Sequence, residues 1–305
     1  MTTRSVGSLS ALRSRWREFA VETLIRVFGL STIGFVTLIF VFLLREGLPI
    51  FLEVPSGDLL RTRWYPTFGL FGAMPLLLGS VLITLAAMAV ALPLGVATAV
   101  FVREVAPAWA RSILKPMIEV LAGIPSVVLG FLGMTVVAPL VRTSLAVPTG
   151  LTALSGAVIL AYMSLPTIIS VAEDALDAVP KSYRDAALAM GATQWQTIWR
   201  VVVPAARSGI VTALMLGMGR AIGETMAVMM VTGNAARMPL SADSLLRPVR
   251  TMTATIAAEM GEVAQGSRHY HALFAIGIIL FALTFVINLV AASAMFKRRP
   301  RGGLR

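Results

Sequence analysis

Six long apolar runs dominate the chain: 27–44, 76–102, 117–141, 152–172, 209–232 and 272–296. An α-helix needs about 20 predominantly apolar residues to cross a bilayer. The pattern therefore predicts an all-α integral membrane protein with six transmembrane helices. A basic stretch (Arg4, Arg13, Arg15, Arg17) precedes the first run, and no small-residue cleavage site follows it. It reads as an uncleaved anchor rather than a removed signal peptide. Pro93, Pro125, Pro139 and Pro166 sit inside three of the runs, beside Gly79, Gly95, Gly123, Gly130 and Gly133. Proline frees a backbone carbonyl, which lipid tolerates only where neighbours or water satisfy it. Small residues let helices approach closely. Both features fit a packed bundle with a polar interior, and they occur equally in channels, secondary transporters and ATP-driven permeases.

Composition agrees with the runs. Of 305 residues, 57% are hydrophobic and only 13% charged, with a mean hydropathy of +0.83. A soluble domain usually carries about 25% charged residues. There is no cysteine, so disulfides, thiolate metal sites and cysteine nucleophiles are excluded. The net charge of +11 raises nucleic acid as a partner, but its distribution answers that. With the N-terminus inside, segments 1–26, 103–116, 173–208 and 297–305 face the cytoplasm and hold 17 of the 26 Lys and Arg. Eight lie on the other side and one, Arg220, within a run. That is the positive-inside bias, so both termini are expected in the cytoplasm and no nucleic-acid role is needed. The predicted organisation is a cytoplasmic segment 1–26, a transmembrane domain 27–296 with its core at 76–296, and a basic tail 297–305.

On the outer side, Trp64, Tyr65, Phe68 and Phe71 suit an interfacial aromatic belt. In the longest outer segment, 233–271, Val249, Met252, Ile256, Met260 and Val263 recur at helical spacing, with Glu259 and Glu262 off the stripe. This predicts a short amphipathic helix that lies on the outer face or packs against neighbouring spans. His269 and His271 close the segment. Two histidines without further ligands do not make a metal site, so they read as surface residues.

The segment 173–208 is too polar to span and too regular to be a linker. Ser182 with Asp185, behind Pro180, predicts a capping box and a helix from Tyr183 to Met190. Gly191 is a good residue for the turn that ends it, because glycine accepts positive φ cheaply. Thr193 with Gln196 is a second capping box, opening a helix that runs towards Pro204. Tyr183, Met190, Trp195, Ile198 and Trp199 give this loop an apolar surface, which usually means a partner.

The loop's pattern resembles the E-A-A-x3-G-x9-I-x-L-P signature of ABC-importer permeases. Here it reads Asp185-Ala186-Ala187, three residues, Gly191, nine residues, then Val201-x-Val203-Pro204. Spacing is kept, with Asp for Glu and valines for Ile and Leu. The resemblance implies a coupling helix that docks on a separate ATPase. The chain has no G-x4-G-K-[ST] phosphate loop and only three lysines, so ATP-Mg would be bound by that partner and no cofactor by this chain.

Arg220 and Glu224 are the only ionisable residues between Gly209 and Gly233. On one continuous helix, positions i and i+4 lie about 6 Å apart and can pair. A mid-membrane arginine costs about 2.5–3.5 kcal/mol on insertion scales, so it needs compensation. Gly217, Gly223 and Ala227 make the same face small. Two readings follow: a buried ion pair that fixes the bundle, or an anion site or gate carrying its own counter-charge. Arginine's planar fork suits a tetrahedral oxyanion. Glu224 would keep the empty site neutral and compete with the anion.

The stretch GRAIGETMAV (219–228) followed by VTGN resembles the PstC-type permeases of phosphate-specific ABC transporters. EVLAGIPSVVLGF (119–131) and LRPVRTMTATIAAEM (246–260) agree with it. The resemblance implies a type I ABC-importer permease with a MetI-like bundle. It also implies a heterodimer with a PstA-type permease, a PstB-type ATPase dimer and a phosphate-binding protein. Arg220 and Glu224 fall on the family's transport motif. Glu119 falls on its third-span signature, where helix-start capping is the plain reading. Alternatives are a permease for another oxyanion or solute, and an ion-coupled secondary transporter. An integral-membrane enzyme ranks last, because the spans hold no metal-ligand cluster, nucleophile elbow or clustered carboxylates.

Overall fold

The computed structural model describes residues 6–53, 59 and 61–296. The basic tail 297–305 lies outside the described residues. The first helix, α1, runs unbroken from Val6 to Glu53, well beyond the apolar run it contains. α2 (Met74–Val100) continues into a wider turn at Phe101–Val105, and α3 (Ala108–Ala122) follows. α4 (Ser126–Leu132) runs through Gly133–Val137 into α5 (Ala138–Ser144). Next come α6 (Ala153–Asp177), and the loop helices α7 (Lys181–Ala189), α8 (Gln194–Thr197) and α9 (Val203–Ala205). α10 (Arg207–Gly223), α11 (Met226–Val231), α12 (Met252–Glu259) and α13 (Arg268–Phe296) complete the chain. Strands β1 (Trp64–Tyr65) and β2 (Leu70–Phe71) form a small antiparallel hairpin.

Two predicted spans are not the continuous helices that hydropathy implies. The run 117–141 breaks at Gly123–Pro125, so the helix long enough to span there is Ser126–Ser144. A residue before proline is pushed out of the helical region, and glycine adds little to hold it. The other break, in 209–232, falls at Glu224–Thr225. Four further helices of at least 23 residues are apolar enough to cross a membrane. The 194–205 segment meets α10 at a bend of 67°.

α2, α6 and α10 form the packed centre. Along α2, buried Ala87, Ala91, Gly95 and Ala99 repeat every four residues and give a flat, small face. α6 lies against it, and a Cβ on Gly95 would come within 2.6 Å of the Ile168 side chain. Lipid offers no hydrophobic gain for helix pairing, so close backbone approach and dispersion carry this contact. A second cluster joins Ile50 of α1, Leu76 of α2, Met252 of α12 and Leu273 and Ile276 of α13. A third joins Leu129 of α4, Ile159 and Met163 of α6, and Ala227 and Val231 of α11. α1 packs on α13 at the edge of the bundle. Its apolar side chains, such as Phe28, Ile33 and Phe35, are more than 60% exposed, a surface suited to lipid rather than water.

Opposite the α7–α9 loop, a polar knot holds the hairpin and α12 together. Glu259 accepts from Trp64 Nε1 at 3.2 Å and from Arg250 Nη1 at 2.7 Å, and lies 2.8 Å from His269 Nε2. His271 Nδ1 lies 2.7 Å from the Glu46 carbonyl oxygen. Both histidines are therefore half-buried hydrogen-bonding residues, not the free surface residues expected. Trp64 and Phe71 are core residues rather than belt residues, whereas Tyr65 and Phe68 are exposed. Of the stripe at 249–263, Met252–Glu259 form a helix, with Met252 buried and Ile256 partly buried where it meets α2 and α13.

Candidate functional site

The sequence places a cation and an anion one helical turn apart; the structure separates them. α10 ends at Gly223, and Glu224 is extended at φ −70° and ψ 132°. Its Oε1 accepts from the backbone N–H of Thr225 at 3.1 Å and of Ala227 at 3.3 Å. The carboxylate thus satisfies N–H groups that open α11, groups with no partner inside that helix. Thr253 Oγ1 donates to the Glu224 carbonyl at 2.9 Å, tying α12 to the break. Glycine and a β-branched threonine on either side of Glu224 weaken helix continuity, and local bonding to backbone completes the break. Among the described residues, no ion pair joins Arg220 and Glu224. The expected i, i+4 pair is corrected, because the helix that would align it stops between them.

Arg220 instead donates from Nε to the Met163 carbonyl at 3.2 Å. That carbonyl lies in the turn of α6 just before Pro166, next to the Tyr162 carbonyl whose helical donor the proline removes. One bond fixes the guanidinium plane. The terminal Nη groups, which form the fork, have no partner among the described residues. Arg220, Gly219 and Gly223 are exposed, and nothing lies within 4 Å of a Cβ at either glycine. The small face expected to hold the pair is divided. Gly217 packs on Ile168, and Ala227 sits against Gly130, where an added Cβ would approach its Cα to 2.9 Å. Glu224 lines a small cavity of about 10 Å³ together with Ser80, Thr84, Thr251 and Thr253.

The α7–α9 loop forms a compact hairpin of short helices. Gly191 has φ +84°, and two bonds close the turn: Gly191 N–H to Leu188 O at 2.9 Å and Ala192 N–H to Ala187 O at 3.1 Å. This is the paired arrangement that a left-handed residue allows after a helix end. Thr193 and Gln196 form the reciprocal capping box. The Ser182–Asp185 box does not form, because α7 starts at Lys181, directly after extended Pro180, and places Ser182 inside the helix. Asp185 and Ala186 are exposed, Ala187 half-buried, and Pro204 lies just before the bend into α10. Tyr183, Leu188, Met190, Trp195 and Trp199 are exposed, with Met190 at 88%, while Ile198 is buried.

No local sequence pattern marks how the loop is fastened to the spans. Arg184 donates from Nη2 to Glu104 Oε1 at 2.6 Å and to Leu176 O at 2.9 Å, and from Nη1 to Val179 O at 2.7 Å. One guanidinium thereby caps the end of α6 and grips the turn after α2. Arg103 with Asp177, and Lys115 with Glu173 at 3.6 Å, reinforce the same junction. The Arg184 and Glu104 side chains are only 17% and 11% exposed. Removing one partner costs about 3–5 kcal/mol for a fully buried pair and about 0–1 kcal/mol for an exposed one, and this partly buried pair falls between them. Arg184→Ala is expected to lower the melting temperature of the purified protein sharply, and Glu104→Gln to add little further loss in the Arg184→Ala background. Additive losses would show that the two do not act as a pair. Glu119 is exposed near the C-terminal end of α3, so it does not cap a helix start.

Residues 91–300 match the family described as binding-protein-dependent transport system inner membrane component. The chain belongs to this family. Its members are membrane subunits of transport systems rather than enzymes. It is 39% identical over 264 residues to a probable ABC transporter permease of Bacillus subtilis, covering 85% of this chain and 84% of that protein. It is 36% identical over 293 residues to the phosphate transport system permease protein PstC of Mesorhizobium japonicum, covering 87% and 88%. The fold is that of solved ABC importers. A bacterial transporter for the acidic polysaccharide alginate aligns with a TM-score of 0.62 at 18% identity, covering 93% of this chain and 99% of its own. An inward-facing methionine transporter aligns at 0.56 and 18%, covering 77% and 99%.

Proposed function

We propose that this chain is the PstC-type permease subunit of an ATP-driven phosphate importer, forming half of the pathway for the anion. The observation that carries the reading is the likeness to phosphate permeases across 87% of the chain, with the transport motif intact around Arg220. The geometry adds a chemical reason: a membrane-embedded arginine held by one bond, with its fork turned to open space. Such a fork donates paired, charge-assisted hydrogen bonds to an oxyanion. Both termini and the α7–α9 loop face the cytoplasm in this reading, as the arginine bias favours.

A PstA-type permease would cover the Arg220 face and complete the pathway. A PstB-type ATPase dimer binding ATP-Mg would dock on the exposed loop helices, and a phosphate-binding protein on the opposite face. Closure of the ATPases pushes α7. The Arg184 clasp passes the push to the ends of α2 and α6, and the bend at Ala206 passes it to α10. The bundle opens on the far side, phosphate enters and meets Arg220, and hydrolysis restores the inward-facing state. Glu224 balances charge near the empty site while it holds the helix break. Because its carboxylate is bonded to backbone, it does not block Arg220 in this conformation.

The test is uptake of labelled phosphate by proteoliposomes holding the whole complex. Uptake should require ATP and resist excess sulfate and molybdate. Uptake without the ATPase, or displacement by either competitor, would overturn the reading.

A further inference from the structure

The face opposite the coupling loop carries more arginine than its position explains. By the orientation proposed above it is the outer face, where the positive-inside bias predicts few cations. Eight of the 26 Lys and Arg nevertheless fall in its segments, all of them arginines. Arg250 is accounted for by Glu259, at 2.7 Å. Arg63, Arg237 and Arg247 are not dispersed. All three line one cavity of about 390 Å³ between the strand hairpin and the 236–249 segment, together with Thr62, Tyr65 and Ser241.

The cavity is built, not incidental. The Arg63 carbonyl accepts from Gly72 N–H at 2.9 Å, and the Arg247 carbonyl accepts from Ala153 N–H at 3.0 Å. Both backbones are thus pinned to the fold. Val249 N–H donates to Thr232 O at 3.0 Å and closes the segment behind them. The charges are only partly met. Arg247 pairs with Asp243 at 2.5 Å. The Ser241 hydroxyl, and then Arg247, hold the Asp243 carboxyl below the ordinary carboxylate range, so it stays ionised at neutral pH. Arg63 and Arg237 have no ion pair among the described residues. Two uncompensated guanidiniums and several hydroxyl donors therefore converge on a concavity large enough for a hydrated oxyanion. Concave walls of one charge sign focus the field and concentrate counter-ions.

We propose that this cavity is a collecting site for inorganic phosphate at the outer mouth, distinct from Arg220. It holds the anion between its release outside and its entry to the bundle. This inference rests on the phosphate reading and on its orientation. The site is weak by construction, because exposed arginines are screened by salt and Asp243 already claims Arg247.

The test uses the assembled transporter in lipid nanodiscs, modified with an arginine reagent and read residue by residue by mass spectrometry. Inorganic phosphate should protect Arg63 and Arg237 saturably. Potassium chloride at equal ionic strength should not, and Arg45 should be unprotected throughout. Arg237→Gln should abolish protection at Arg63. In proteoliposomes, Arg63→Gln with Arg237→Gln should lower uptake at limiting phosphate about tenfold, within the range that steering supplies. Equal protection by chloride, no protection, or protection by the binding protein without phosphate would each overturn the proposal, the last making the cavity a protein-docking surface. If wild-type uptake is phosphate-selective while protection fails, this site alone is rejected. If wild type takes up another anion, the phosphate reading fails first.

Discussion

Arg220→Gln is expected to reduce ATP-dependent phosphate uptake by the assembled transporter about 100-fold, with complex yield and melting temperature unchanged. Glutamine cannot replace Nε, but Nε carries only one bond, to the Met163 carbonyl. The loss that matters is the fork. Hydrogen bonds to charged groups contribute about 1.5–3 kcal/mol each, and two of them to the passing anion amount to roughly 3 kcal/mol or more. Each 1.4 kcal/mol is about a factor of ten. Arg220→Lys keeps the charge but not the planar fork, so it should fall between wild type and Arg220→Gln. If Arg220 were a structural partner of Glu224, the signs would reverse. Arg220→Gln would then lower stability first, and Glu224→Gln would rescue it. The geometry predicts no rescue, since Glu224 bonds to the backbone of Thr225 and Ala227.

The second large effect is expected at Gly191. A Cβ there meets nothing within 4 Å, so a substitution acts through backbone conformation alone. At φ +84° an ordinary residue loses about 1–2 kcal/mol, and a β-branched one adapts worst. Gly191→Val should open the turn and misalign α7 with α8. Uptake per ATP hydrolysed should drop about tenfold while the complex still hydrolyses ATP. Asparagine tolerates the left-handed region, so Gly191→Asn should keep most of the coupling. Equal behaviour of the two variants would remove the turn from the coupling path.

The sequence announces features whose cause is local. Apolar runs mark helices because burial in lipid demands internally bonded backbone, whatever the tertiary context. The Gly191 turn and the Thr193–Gln196 box are legible because each is settled within a few residues. Breaks inside runs are less visible, since hydropathy averages across them. Gly223-Glu224-Thr225 and Gly123-Ile124-Pro125 are the available signals, and both yield to the apolar weight around them. The Ser182–Asp185 box fails for a related reason: proline at 180 sets the helix start two residues earlier than the motif suggests. Long-range bonds leave no local trace at all. Arg184 and Glu104 are 80 residues apart, and only the fold brings them within 2.6 Å. The Glu259 knot, which takes in Trp64 from 195 residues away, is hidden in the same way. By contrast, the four-residue repeat of Ala87, Ala91, Gly95 and Ala99 is a readable packing signal, and it marks the α2–α6 contact.

On the proposed function, the free fork of Arg220 lines the anion's path. The most direct measurement is a structure of the complete transporter, trapped with a non-hydrolysable ATP analogue in saturating phosphate. Tetrahedral density is expected within about 2.7–2.9 Å of the Arg220 Nη groups, with Glu224 still bonded to the start of α11. Arg220 engaged by a carboxylate of either permease, with the anion bound elsewhere, would contradict it.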